Sequence, residues 1–313
     1  MAGSRRTVFP LVPRYRVAGL PFGGTPSLRR GHGSDVAGSR LYVRGDPIST
    51  IDWRASARLS SARGRDEFVV RERYAEEAPR VVVFCDLRPS MALYSEPFPW
   101  LSKPDALHEA TAMIVRSADA ANAAVAYLDL AGAGARSGDP YWLPPAGRGA
   151  LQRIEAREAE ATSFDAPEDS LTLGLRFLGR FRSELSSGTF VFVLSDFLGA
   201  AIDEAAWLTA AARRWEVVPV VIQDPVWEQS FPDVGGLVVP LVEPASGEMI
   251  EVRLSRRQAR ARREANERRR RDLLARIQEL GLDAVLIDSS DGPAVDRAFL
   301  DWAQRRRDLR QRR

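Results

Sequence analysis

Val81-Val82-Val83-Phe84-Cys85 is an unbroken apolar run that stops at Asp86, and it constrains the fold more than any other stretch of the chain. A strand with one wet face alternates apolar and polar side chains. A continuous run of this kind has to be covered on both faces, as a parallel strand is between two layers of helix. The pattern recurs at residues 123–130, 189–194, 217–223 and 282–287. Helical periodicity fills the gaps at 106–121, 150–160, 171–185 and 200–214. A long charged helix is predicted over 255–281 and a closing helix over 293–307, with Pro293 in the first turn, where a missing N–H costs little. Residues 236–252 predict a pair of strands around the turn Pro244-Ala245-Ser246-Gly247. Strands separated by helices imply an α/β fold, a doubly wound and mostly parallel sheet.

Residues 1–80 differ in character. They are rich in Gly, Pro, Ser and Arg, with short β-prone pieces at 41–43 and 67–72, and predict an irregular, strand-containing appendage ahead of an α/β domain over 81–313. With 313 residues, 45% of them hydrophobic, the chain can bury one large core. No apolar run reaches the roughly 20 residues that a membrane-spanning helix needs. The prolines and arginines after Arg5 and Arg6 interrupt any secretory leader, so a cytoplasmic protein without membrane insertion is expected.

Scarcity narrows the chemistry. Cys85 is the only cysteine, so the chain can build neither an internal disulfide nor a multi-cysteine metal site. Lys103 is the only lysine, and it lies far from any Gly-rich turn, which removes a Walker-type phosphate loop. His32 and His108 are the only histidines, and no Gly-x-Ser-x-Gly elbow accompanies them. No enzymatic activity is expected. Cys85 should be a core residue, and each histidine an exposed or hydrogen-bonded one.

In open α/β sheets the functional crevice lies beyond the carboxyl ends of the strands. Asp86 and Ser90 follow the first buried strand, Thr172 stands ahead of a helix, and Asp196 follows the strand ending at Leu194. Oxygen ligands of this kind suit a hard divalent cation such as magnesium. The arrangement resembles the metal-ion-dependent adhesion site of von Willebrand factor A domains, whose signature is Asp-x-Ser-x-Ser, then a Thr, then an Asp, which implies a von Willebrand factor A-like fold. Here the first element reads Asp86-Leu87-Arg88-Pro89-Ser90, with Arg88 where a ligand serine stands. Arginine has five donors, no acceptor and a persistent charge. The expectation is that its guanidinium pairs with Asp86 or Asp196 in place of a metal, so that no cofactor is needed. The alternative is that Asp86 and Asp196 cap the helices that follow.

Upstream, Tyr42-Val43-Arg44-Gly45-Asp46 leads into Ile51-Asp52-Trp53, with Ala57-Arg58 next. This block, followed at once by the α/β domain, resembles the hallmark of a bacterial family, the domain of unknown function fifty-eight, over residues 19–306. The resemblance implies a MoxR-type AAA+ ATPase as partner. Gly45 supplies a positive backbone angle, Asp46 closes a turn on nearby N–H groups, and Asp52, Arg54 and Arg58 are expected to pair with Trp53 as an apolar anchor against the sheet. Arg44-Gly45-Asp46 matches a cell-adhesion tripeptide by coincidence. Residues 21–31, rich in glycine, predict a loop.

The charged helix carries Arg256, Arg257, Arg260, Arg262, Arg263 and the run Arg268 to Arg271. Its apolar side, Leu273, Leu274, Ile277 and Leu280, should pack on the sheet. A stripe of this kind could bind nucleic acid by releasing counterions, but few aromatics lie among the arginines, so a protein partner ranks first. The function expected is a non-enzymatic interaction or assembly adaptor that presents Asp86, Arg88, Ser90, Thr172 and Asp196 to a protein. A partner carboxylate would then bind Arg88, and Arg88→Glu would abolish capture without unfolding the chain. The alternatives are a magnesium-dependent hydrolase using Asp86 and Asp196, and a nucleic-acid binder using residues 255–281.

Overall fold

The computed structural model describes residues 7–14, 20–93, 100–132, 140–147, 149–160, 163–181, 185, 187–199, 204–236, 238–242 and 249–311. The appendage is an antiparallel pair, β1 (Leu20–Leu41) and β2 (Val69–Ala78), with helix α1 (Trp53–Arg63) between them. Residues 21–31, expected as a loop, run inside β1. Beyond them come β3 (Arg80–Cys85), α2 (Lys103–Ala120), β4 (Ala124–Asp129), β5 (Tyr141–Ala146), α3 (Ala150–Glu160), α4 (Ser170–Leu178), β6 (Phe190–Ser195), α5 (Glu204–Ala212) and β7 (Glu216–Ile222). A hairpin of β8 (Val238–Val242) and β9 (Met249–Arg253) precedes α6 (Arg256–Glu279), β10 (Val285–Ile287) and α7 (Gly292–Gln311). The turn at 244–247 lies outside the described residues.

Among the described residues, six strands form the central sheet in the order β10-β7-β6-β3-β4-β5, parallel except for the antiparallel edge strand β5. Every residue of β4, β6 and β7 is buried, which is why these segments carry no alternation. Side chains of a strand point alternately to its two faces. On β3, Cys85 meets Thr111 of α2, with Sγ 3.6 Å from the hydroxyl, whereas a Cβ added at Gly174 of α4 would lie 2.1 Å from the Phe84 ring. Helices α2 and α4 therefore cover opposite faces, and α4 reaches the sheet because residue 174 has no side chain. The apolar side of α6 docks as its periodicity predicts, with Ile277 buried and Leu273 and Leu280 packed on the core. Cys85 is buried and its thiol is pushed up by desolvation.

The chain's start is tied to this domain as well. Phe9 is buried, stacks on Phe299 of α7 at 4.9 Å and meets Phe192 of β6 and Trp302 edge-on. Below it, Arg306 bonds Glu216 at the amino end of β7 and the backbone carbonyl of Val12. Aromatic burial of this extent is worth several kcal/mol. Phe9→Ala should lower the unfolding free energy by ~3–5 kcal/mol in a denaturant titration; a change under ~1 kcal/mol would show that this segment does not pack on α7.

Candidate functional site

β3 has β4 on one side and β6 on the other, and the next strands in sequence run outward in opposite directions from there. The carboxyl ends of β3 and β6 thus flank the sheet's switch point, where open α/β sheets place their crevice. Asp86 emerges from β3 and Ser195-Asp196 from β6, and the Asp86 N–H bonds the Leu194 carbonyl at 2.9 Å. The two aspartates are fully buried. Two carboxylates this close in a dry crevice require cations.

Arg88 supplies the first. Its Nε lies 3.1 and 2.9 Å from the two Asp86 oxygens, and one terminal nitrogen reaches Asp86 Oδ2 at 2.7 Å, Asp196 Oδ1 at 3.1 Å and the Ser195 hydroxyl at 3.2 Å. The other terminal nitrogen donates to the Leu198 carbonyl at 2.8 Å. Ser195 and Ser170 donate their hydroxyls to Asp86 at 2.6 and 3.3 Å, and Gln223 donates to the Asp196 carbonyl. The second cation is Lys103, at the first turn of α2, whose ammonium bonds Asp196 Oδ2 at 2.8 Å, Glu228 Oε1 at 2.5 Å and the Ser90 carbonyl at 3.0 Å. The side chain of Lys103 is only 2% exposed, and that of Arg88 6%, so neither cation is shared with bulk water.

Electrostatics explain the count. At about 3 Å and an effective dielectric near 20, each contact offers roughly 5 kcal/mol of attraction, which desolvation of the ions largely offsets. What remains is a heavy cost for removing one partner. Burial by itself would lower the Arg88 and Lys103 pKa values; the hydrogen bonds and charge of Asp86 for Arg88, and the charges of Asp196 and Glu228 for Lys103, outweigh it, and both stand raised. Glu228 is pushed up by its own burial, which Lys103 only partly offsets. Three carboxylates thus meet two cations.

The pairing expected for Arg88 is what the geometry shows, with both aspartates rather than one. Asp86 and Asp196 also accept the backbone N–H groups of Arg88 and Leu198, two residues on, which closes local turns and does not cap a helix. Ser90 enters through its carbonyl, and its hydroxyl is buried with no partner among the described residues. Thr172 is half-buried in α4 and makes no hydrogen bond to the cluster; Ser170, two residues earlier, takes that place. Lys103, Ser195, Ser170 and Glu228 were not expected. Lys103 alone left a signal, as the single lysine in a chain that otherwise uses arginine. Cationic side chains contact both aspartates, and the described residues contain no group of three or more His, Cys, Asp or Glu placed to hold a metal.

The family model described as "Protein of unknown function DUF58" matches residues 38–273. The chain belongs to the DUF58 family. No curated protein matches the sequence. Solved structures with partial likeness include the pilus adhesin SpaC from Lactobacillus rhamnosus GG in its open conformation, 13% identical at a TM-score of 0.35 over 73% of this chain and 30% of the adhesin. Another crystal form of that adhesin is 14% identical at a TM-score of 0.36 with the same coverage. An uncharacterized membrane-spanning protein from Vibrio fischeri is 12% identical at a TM-score of 0.21 over 71% of this chain and 98% of its own. The chain spans 30% of the adhesin's length. Among the described residues, no helix of this DUF58 chain is long and apolar enough to cross a membrane.

The block shared with DUF58 is a rigid turn. Gly45 has φ +112°, and Asp46 accepts the Val43 N–H at 2.8 Å and two Arg40 nitrogens at 2.6 and 2.7 Å. The Arg40 hydrogen bonds hold the Asp46 carboxyl down to about 2. Asp52 caps α1 through the Ala55 N–H and pairs with Arg71, not with Arg54 or Arg58. Trp53 is 60% exposed rather than an anchor in the core; it opens α1 and meets the edge of Phe68. His108 lies on α2 with Nδ1 2.8 Å from Glu158, and His32 lies in β1.

Burial of Arg88 also alters one expectation. Arg88→Glu would set a third carboxylate against Asp86 and Asp196 inside the crevice, so it should unfold the chain or cost at least ~3–5 kcal/mol, measured by thermal and denaturant unfolding; a variant of unchanged stability would contradict the buried pairing. Lys103 gives a pH signature. Its folded pKa stands above the ordinary lysine value of 10.5, so its contribution is complete below that value and is lost as pH rises through the folded pKa. The stability gap between the native chain and Lys103→Met should hold steady to about pH 10 and narrow above it. A gap independent of alkaline pH would show that Lys103 is not an internal ion-pair partner.

Proposed function

We propose that this DUF58 chain is a non-enzymatic protein-interaction or assembly module of von Willebrand factor A-like fold, which captures a partner on the carboxyl rim of its sheet and works in the cytoplasm with a MoxR-type AAA+ ATPase. The partner comes from the family resemblance. The observation that carries the interaction role is the occupation of the crevice by Arg88 and Lys103, which leaves Asp86 and Asp196 fully engaged. Carboxylates held in this way cannot act as a base or accept a metal without expelling a side-chain cation, so neither a magnesium-dependent hydrolase nor a cofactor is favoured.

The lock also changes how the rim is used. Arg88 turns its donors inward, to Asp86, Asp196, Ser195 and Leu198, so they are not offered to a partner carboxylate, and a partner meets the layer above instead. That layer includes exposed Glu168, whose charge acts on Arg88, and Leu173 in the first turns of α4, 37% exposed. A rigid floor under an exposed rim lowers the ordering cost of docking. Two arginines of α6 serve inside the molecule, with Arg263 bonding the Phe231 carbonyl and Arg269 that of Glu228. That weakens the case for α6 as a nucleic-acid surface.

Glu168→Arg and Leu173→Asp should each weaken capture of a MoxR-type ATPase by about tenfold or more with unchanged melting, whereas Arg214→Glu, at the opposite end of the sheet, should leave it intact. Equilibrium binding with purified proteins checks this. Capture indifferent to both rim variants, or metal-dependent hydrolysis lost in Asp86→Asn, would refute the proposal.

A further inference from the structure

The appendage carries a second exposed surface that the rim does not use. Tyr42, Phe68 and Trp53 form an edge-to-face ladder with centroids 6.4 and 6.0 Å apart, and the Tyr42 N–H bonds the Phe68 carbonyl at 2.8 Å. Around it Val43 is 62% exposed, Trp53 60% and Phe68 43%. Large apolar side chains gathered this way on an otherwise charged surface mark an interaction site more often than single exposed residues do.

The patch is also stiff. Arg40 ties Asp46 and Glu72 together, Arg71 holds Asp52, and the Asp52 N–H bonds the Val69 carbonyl, so the turn, the start of α1 and the start of β2 are fixed to one another. Arg63 and Arg65 engage Glu67 in turn. These pairs consume the acidic residues around the ladder and leave its cations unmatched. Arg44 beside Val43, Arg54 beside Trp53 and Arg58 one turn along α1 are exposed and have no carboxylate partner among the described residues, against a single unpaired acid, Asp66. An aromatic platform bordered by guanidinium groups that have no carboxylate partner among the described residues, already ordered before binding, has the composition of a protein-docking hot spot.

We propose that this surface binds an acidic protein segment bearing one large apolar side chain, which packs on the Trp53–Phe68 ladder while its carboxylates pair with Arg44, Arg54 and Arg58. Guanidinium groups on Arg54 and Arg58 lie one helical turn apart, on the same side of α1, so they match carboxylates spaced along an extended or helical segment. The surface shares no residue with the carboxyl rim, and the inference stands independently of the rim's role. It gives the chain two docking faces.

The test uses the full chain as bait for a displayed library of random peptides, followed by anisotropy titration of the labelled consensus peptide. The expected consensus is rich in Asp and Glu around one aromatic or long aliphatic residue. Its binding should weaken by about tenfold or more in Trp53→Ala and in the pair Arg54→Glu with Arg58→Glu, weaken as salt rises, and persist in Glu168→Arg. The melting temperature of each variant separates lost binding from lost folding, and Trp53→Phe, which keeps an aromatic ring, should retain most of the affinity. A library that yields no peptide, a consensus without net negative charge, or binding indifferent to all the appendage variants would overturn the proposal. So would Trp53-dependent binding to phosphatidylserine vesicles with no peptide selected, which would assign the patch to a membrane surface instead.

Discussion

The guanidinium of Arg88 holds together the part of this molecule that an α/β sheet normally leaves open. At a switch point two strands diverge and the backbone offers polar groups to whatever fills the gap; here the filling is the chain's own cation, wedged between Asp86 and Asp196 and completed by Lys103. The consequences spread outward. Because the aspartates are engaged, Ser195 and Ser170 are fixed as donors, Gln223 is drawn onto the Asp196 backbone, and the segment after β7 is pulled in through Glu228. Helix α6 closes over that segment, with Asn266 donating to the carbonyls of Trp227 and Ser230. A buried network of ion pairs thus links β3, β6 and α2, and hydrogen bonds from Asn266 carry it on to α6.

Such a lock carries specificity more than raw stability. Buried ion pairs roughly break even against apolar residues of the same volume, yet breaking one leaves an unmatched charge that the interior cannot solvate. The arrangement in which every charge of the crevice is matched is therefore favoured over others. It also accounts for arginine at this position. A planar fork grips both oxygens of Asp86 side-on while its far end reaches Asp196 and the Leu198 carbonyl, a side-on grip that the point charge of an ammonium does not offer.

Much of the architecture is legible in the residues alone because burial on both faces erases alternation. Val81 to Cys85, residues 189–194 and residues 217–223 announce themselves as parallel strands, and the α/β class follows. Strand β5 does not, since Pro144 and Pro145 speak against a strand and only an edge position tolerates them. At the site, Asp86 and Asp196 are found from their place after strands, and Arg88 from its break with a metal-binding pattern. Thr172 is picked out by the metal-binding pattern, whereas the hydroxyl that reaches Asp86 is that of Ser170, two residues earlier on α4, and sequence spacing does not fix which residue of a first turn faces inward. Glu228 follows β7 by a loop whose path depends on Lys103 and α6, and no local pattern encodes such a path. Trp53 looks like an anchor by size, yet it stands 60% exposed at the start of α1.

The account stands on the coupling between Arg88 and Asp86, and a double-mutant cycle measures that coupling without reference to any partner. Unfolding free energies of the native chain, Arg88→Met, Asp86→Asn and the double variant should reveal an interaction energy of ~2–3 kcal/mol, with the double variant far less damaged than the sum of the singles. Effects that add to within ~0.5 kcal/mol would mean that the guanidinium does not sit in the crevice, and the locked rim would have to be abandoned.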